Sequence, residues 1–204
     1  MLLFGHSGIT LGMAWITHRV VVQKRVNSTK LGPVSKLNAD PSREETVLAA
    51  GFDYRIVLFG SLLPDIIDKP IGHLLLREIF SNGRILAHTL FFSLLLISVG
   101  LILRLRWGKT WLLLLSFGTM IHIVLDQVWR HPKTFLWPLY GLTFDRIELT
   151  GWTRRILETS LIDPGVYIPE FVGLVILVWY FIVLVLQHRV SQPGYRLSDT
   201  GRGV

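Results

Sequence analysis

The chain has 204 residues, enough for one domain, of which 50% are hydrophobic and 17% charged; soluble domains carry about 25% charged residues, so the composition points to lipid. The absence of cysteine excludes disulfides and thiolate metal sites, leaving His, Asp and Glu as the available metal ligands. The net charge of +7 comes without a basic stripe or a glycine-rich phosphate loop, which sets nucleic acid aside as a partner and assigns the surplus to cytoplasmic loops beside anionic lipid headgroups.

The N-terminus lacks a basic n-region and a small-x-small cleavage site, so Leu2 to Val22 reads as a retained first helix containing His6, His18 and Arg19. Gln23 to Glu45 is polar, with Gly32, Pro33 and Pro41, and reads as a loop. Val47 to Ile67 forms a second helix carrying Asp53, Arg55 and Asp65. The charges of these two helices suit a bundle interior better than lipid. Leu86 to Leu103 is apolar apart from His88, and Trp107-Gly108 then makes a tight turn after Arg104 and Arg106. Thr110 to Asp126 is apolar until His122. The connection Trp129 to Gly165 is long and rich in Trp, Pro and Arg; within it, Asp145 to Ile162 is expected as an amphipathic helix in the interface. Val166 to Gln187 is the longest apolar run, with Glu170 as its only charge. The expected fold class is therefore all-α: an integral membrane bundle of about five helices, with one domain over residues 1–187 and a polar tail over 188–204.

If five helices alternate across the membrane, one face receives the loop after helix 1, the turn at 104–109 and the tail. That face holds eleven basic residues against four acidic ones, and the opposite face eight against nine. The positive-inside rule makes the first face cytoplasmic and the protein multi-pass in the inner or plasma membrane, with a cytoplasmic C-terminus.

This topology gathers the ionisable residues at one depth. His6 starts helix 1 on the outer side, and Asp65 and Asp68 end helix 2 there. Arg84 and His88 open helix 3, His122 and Asp126 close helix 4, and Glu170 begins helix 5. The spacings are helical: i, i+4 for His122/Asp126 and Arg84/His88, and i, i+3 for Asp65/Asp68, with Pro64 shaping the helix end. Each piece has an ordinary structural explanation. An intramembrane His can be a hydrogen-bonded packing residue, Asp65 and Asp68 can cap a helix, Arg84 can anchor at the interface, and a helix dipole favours Glu170. Several buried ionisable groups at one depth cost least, however, when a cation neutralises them. Imidazole and carboxylate suit a divalent metal, zinc first, and a nearby arginine suits a substrate phosphate or carboxylate.

Gly60-Ser-Leu-Leu-Pro-Asp-Ile-Ile-Asp68, Arg84-x-x-x-His88-Thr89, His122-Ile-Val-Leu-Asp-Gln127 and Trp137-Pro138, in that order, resemble the membrane-bound metal-dependent hydrolases of the YdjM type. That family also begins with a histidine near the N-terminus, matched by His6. Its usual Arg-Gly before Thr-His reads here as Arg84-Ile-Leu-Ala-His88. The resemblance implies a metal-dependent hydrolytic activity, and it extends distantly to zinc-dependent phospholipase C, an all-helical enzyme with clustered His and Asp ligands.

Together these readings assign metal ligation to His6, Asp65, His88, His122 and Asp126, with Glu170 an outer candidate and His131 a weaker one. Asp68 is expected as a bridging ligand or as the general base, and Arg84 as the group that stabilises an anionic transition state. The position at the interface suggests a membrane lipid or another amphiphilic ester or phosphoester as substrate. The alternative is a non-catalytic protein, either a metal-stabilised scaffold or a transporter. A transporter would place its polar groups near the midplane rather than at helix ends. The chain contains no HExxH, which argues against an intramembrane metalloprotease.

Overall fold

The computed structural model of the protein describes residues 3–29, 52–146, 158–159 and 162–190. Among them are six α-helices and no strand: α1 (Leu3–Thr29), α2 (Tyr54–Pro70), α3 (Leu90–Trp107), α4 (Trp111–Leu125), the short α5 (Pro132–Phe135) and α6 (Pro164–Val190). A π-helical turn, Ile71–Leu75, prolongs α2, and a 3-10 turn, Val128–Arg130, precedes α5.

All five expected helices are present, with shifted limits. α1 runs seven residues beyond Val22, into the segment read as a loop; the rest of that loop lies outside the described residues, as does most of the expected interfacial helix at 145–162. In α2 the Asp53 carboxylate caps the helix by accepting from Arg55 N at 2.8 Å, and Pro64 lies within the helix rather than ending it. α3 starts four residues later than its apolar run. Thr89 is its cap, with Oγ1 accepting from Phe92 N at 3.0 Å, so Leu86 to His88 are irregular backbone. Gly108, at φ +66°, closes α3 in a left-handed turn that side chains disfavour and glycine does not, which sends α4 back beside α3.

Two close helix pairs build the bundle, α2 on α4 and α1 on α6. Small residues set the first crossing. A Cβ on Gly118 would sit 2.2 Å from Val57 O, and one on Gly60 2.2 Å from Leu115 O. Thr119 Oγ1 donates to Gly60 O at 3.1 Å across the same contact. Gly8 approaches Gly173 as closely in the second pair. Where lipid removes the hydrophobic drive between helices, close backbone approach of this kind supplies the packing.

Two helices among the described residues are long and apolar enough to cross a membrane: α3, and α6 over Pro164–Leu186. Only 11% and 6% of these windows are buried inside the protein, so their apolar surfaces face outward. α4 is apolar but has 15 residues, about 22 Å at 1.5 Å per residue against roughly 30 Å of hydrocarbon. α1 and α2 carry too many polar groups to qualify. The five expected spans are thus five helices, of which two have spanning length and composition.

Candidate metal centre

The site forms where α1 begins and where α2 and α4 end. Its keystone is Asp68, fully buried in the last turn of α2. Asp68 Oδ2 accepts from Ile85 N at 2.8 Å and His88 N at 3.1 Å, and Oδ1 accepts from Ala87 N at 3.0 Å. The same carboxylate accepts from His88 Nδ1 at 2.7 Å. Irregular backbone leaves N–H groups that need partners, and this carboxylate provides them, so the segment delivering His88 is held by α2. Arg84 and His88 therefore reach the site from an irregular, turning segment, not from one helical face as their spacing predicts. Asn82 braces that segment: its Oδ1 accepts from Arg84 N at 2.9 Å and its Nδ2 donates to Asp145 O at 2.7 Å.

Asp65 and Asp68 flank the same imidazole. Asp65 Oδ1 lies 3.6 Å from His88 Nε2 and 3.9 Å from His122 Nε2, while its Oδ2 accepts from Lys69 Nζ at 2.6 Å. His122, in the last turn of α4, donates from Nδ1 to Ser61 O at 2.6 Å. His6, in the first turn of α1, packs against His122 with ring centroids 4.2 Å apart and the rings tilted by 32°. Its Nε2 meets Asp126 Oδ1 at 3.1 Å, and Arg84 Nε meets Asp126 Oδ2 at 2.8 Å. Although burial opposes it, His6 and Arg84 together hold the Asp126 carboxyl below the usual carboxylate range.

These contacts fix tautomers. A carbonyl and a carboxylate can only accept, so Nδ1 of both His122 and His88 carries the hydrogen, and in the neutral rings each Nε2 presents a lone pair. The two Nε2 atoms stand 3.2 Å apart, a contact that two acceptors cannot make unaided. Ligand nitrogens about 2.0–2.1 Å from a tetrahedral zinc are separated by roughly 3.3 Å. The donors fall into two overlapping sets, His6/His122/Asp126 and Asp65/His88/His122, each with its ligand atoms within 4.8 Å of one another. His122 offers a single Nε2 to both, so the five side chains are the donor set of one centre more readily than of two. Burial lowers the pKa of His88, but hydrogen bonds and charge from Asp65 and Asp68 outweigh it and raise it. The residues fit a divalent cation.

The remaining candidates belong to neither donor set. Glu170 Oε2 accepts from Phe4 N at 3.0 Å, satisfying an N–H group of the first turn of α1 and belonging to neither donor set. His131 is exposed, preceding α5. Asp68 is in neither set, because its oxygens already serve backbone N–H groups and the far side of His88. Sequence reasoning missed Ser61, whose carbonyl orients His122, and Asn82, which braces the Arg84 segment. Ser61 acts through its backbone, which no side-chain pattern reveals. Asn82-Gly83 is a turn signal that could have placed the second.

Comparison with known proteins adds the family. No curated protein and no solved structure matches the chain. The family model of the YdjM inner membrane protein matches residues 31–194, a segment that contains Asp65, Asp68, Arg84, His88, His122 and Asp126, whereas His6 precedes it and joins the site through its contact with Asp126. By the extent of that match the chain belongs to the YdjM inner membrane protein family.

Proposed function

We propose that the protein is a membrane-bound, metal-dependent hydrolase acting on an ester or phosphoester of an amphiphilic, lipid-like substrate where the helix ends meet the extracytoplasmic interface. The observation that carries this reading is the 3.2 Å approach of His88 Nε2 to His122 Nε2, with each Nδ1 committed to another acceptor. His6, Asp65, His88, His122 and Asp126 hold the ion, and zinc suits their nitrogen and oxygen donors. When bound, such an ion lowers the pKa of a water ligand toward about 7 and polarises a scissile ester.

The chain's own residues do the rest. Asp68 keeps His88 in the tautomer that offers Nε2, and the Ser61 carbonyl does the same for His122. Arg84, with its side chain 37% exposed while its partner Asp126 is 5% exposed, stands at the rim, where its guanidinium meets an anionic substrate. Asp65, at 21% side-chain exposure, is far more accessible than the buried Asp68. Asp65 thus faces the ion as a ligand, whereas Asp68, with both oxygens committed to N–H donors, has none left to take a proton from water.

A second reading has its own support. The contacts of Asp126 with His6 and Arg84 tie α1, the end of α4 and the 84–89 segment together without a metal, as a scaffold requires. A proton shared by His88 and His122 would likewise satisfy their contact. Metal analysis of the purified protein, followed by a panel of ester and phosphoester lipids, separates the three. Bound metal with turnover supports the hydrolase, metal with no turnover across the panel leaves the scaffold, and absence of metal after loading leaves the proton.

A further inference from the structure

Two segments next to the site carry large apolar side chains that are exposed among the described residues. Leu74 and Leu75, in the π-helical turn after α2, are 77% and 75% exposed, and Ile79 follows at 58%. Leu139, Tyr140 and Leu142, after α5, are 83%, 63% and 75% exposed. The segments are far apart in sequence yet joined in space: Phe80 packs edge-on against Phe144 with ring centroids 5.9 Å apart, and Asn82 Nδ2 donates to Asp145 O. Both leave from the site's end of the bundle, one from the helix end bearing Asp65 and Asp68, the other from the helix end bearing His122 and Asp126.

We propose that these two segments form an apolar collar embedded in the headgroup region of the bilayer leaflet that borders the metal centre. Three observations select lipid as the occupant. First, Leu90 begins the spanning helix α3 two residues after His88, and the outer surface of α3 is apolar. The hydrocarbon boundary thus lies at the level of the site, and the collar continues a surface that already faces lipid. Second, the collar mixes leucine with Tyr140, and Trp129 (49% exposed) lies on the same connection; amphipathic rings of this kind settle at headgroup depth. Third, Arg77 and Glu78 lie between Leu75 and Ile79, Lys133 lies in α5 just before the second segment, and all three are exposed, which suits the interface and not the hydrocarbon core. The collar holds the rim residue Arg84 at the depth of lipid headgroups. It stands independently of whether the site binds metal or turns over a substrate.

The absence of cysteine makes the test direct. Leu75→Cys and Leu142→Cys, each labelled with an environment-sensitive fluorophore in the full chain reconstituted in vesicles, are read against spin-labelled lipids quenching at shallow or deep positions. Phe181→Cys, at a lipid-facing position of α6 (66% exposed), gives the deep reference. The expected result is blue-shifted emission at both collar positions, quenched best by the shallow label, for a depth of about 5–10 Å as in other interfacial segments. Leu74→Cys and Leu139→Cys are equally exposed and replace either variant that does not insert. Quenching by aqueous iodide without lipid quenching would show the collar in water and overturn the proposal. Blue-shifted emission insensitive to both quenchers would show that protein covers the collar, and would overturn it too.

Discussion

The His88 imidazole is held from both sides: Asp68 accepts from its Nδ1 at 2.7 Å, and Asp65 stands 3.6 Å from its Nε2. Two carboxylates three residues apart on one helix end thus divide the work. The buried one sets the ring's tautomer and position, and the more open one faces the same centre as the ring.

This division makes the two aspartates separable by substitution. In Asp68→Asn, the amide nitrogen confronts a ring of donors, so the 85–88 segment loosens. Metal affinity is expected to fall about 10–100-fold, as for other residues that orient a metal-binding histidine, and stability by roughly 1–3 kcal/mol. Asp65→Asn leaves that segment in place but removes one charged donor of the centre, so metal affinity and turnover should fall together. Metal titration and single-turnover assays on both variants check the order. Unchanged metal affinity in Asp65→Asn would remove it from the donor set.

His122 belongs to both donor sets. His122→Ala should therefore abolish metal binding and activity together, while the variant still inserts. Metal analysis at unchanged expression reads the outcome; retained stoichiometric metal would mean the ion lies elsewhere.

Glu170→Gln serves as the counterpart. Its carboxylate accepts from Phe4 N at the start of α1, a bond the amide oxygen can also accept. Metal content should be unchanged and stability should fall by no more than about 1 kcal/mol. A loss of metal would return Glu170 to the ligand set.

At the α2–α4 crossing, Gly118→Val places its branched side chain where even a Cβ would lie 2.2 Å from Val57 O. Backbone cannot yield as a flexible side chain does, so the cost should reach or exceed the roughly 1–3 kcal/mol typical of overpacking. The loss of Thr119's neighbour contact should displace His122, three residues further on. Thermal unfolding in detergent and metal affinity should fall together.

Orientation can be read on either side of α4. Reporter fusions at Lys109 and Lys133 are expected on opposite sides, with Lys109 cytoplasmic by the charge asymmetry of the loops. The same side for both would make α4, with its 15 residues, a helix that enters the membrane without crossing it.

Much of the architecture is legible because lipid writes long apolar runs into a sequence. α3, α4 and α6 stand close to their apolar segments, and residues at one expected depth do converge. Limits are legible only where side chains mark them. The start of α3 escapes the sequence because Leu86 and Ala87 look helical, and only Asp68, nearly twenty residues earlier, draws the backbone N–H groups of Ile85, Ala87 and His88 away from a helix. The pairing of Arg84 with Asp126, 42 residues apart, and of His122 with a carbonyl of α2 are tertiary facts with no local trace. Glu170 shares the expected depth but is intercepted by the backbone of α1, so depth alone does not decide which carboxylate reaches the centre.

The contact between His6 and Asp126 also sets an order of events during synthesis. His6 leaves the ribosome some 120 residues before its carboxylate partner, and His88 likewise precedes His122. The first helix must therefore wait, its polar end in water or among headgroups, until α4 has followed it. Chains ending before Asp126 would hold the Lys69–Asp65 and His88–Asp68 contacts complete but leave Arg84 and His6 without the carboxylate they share.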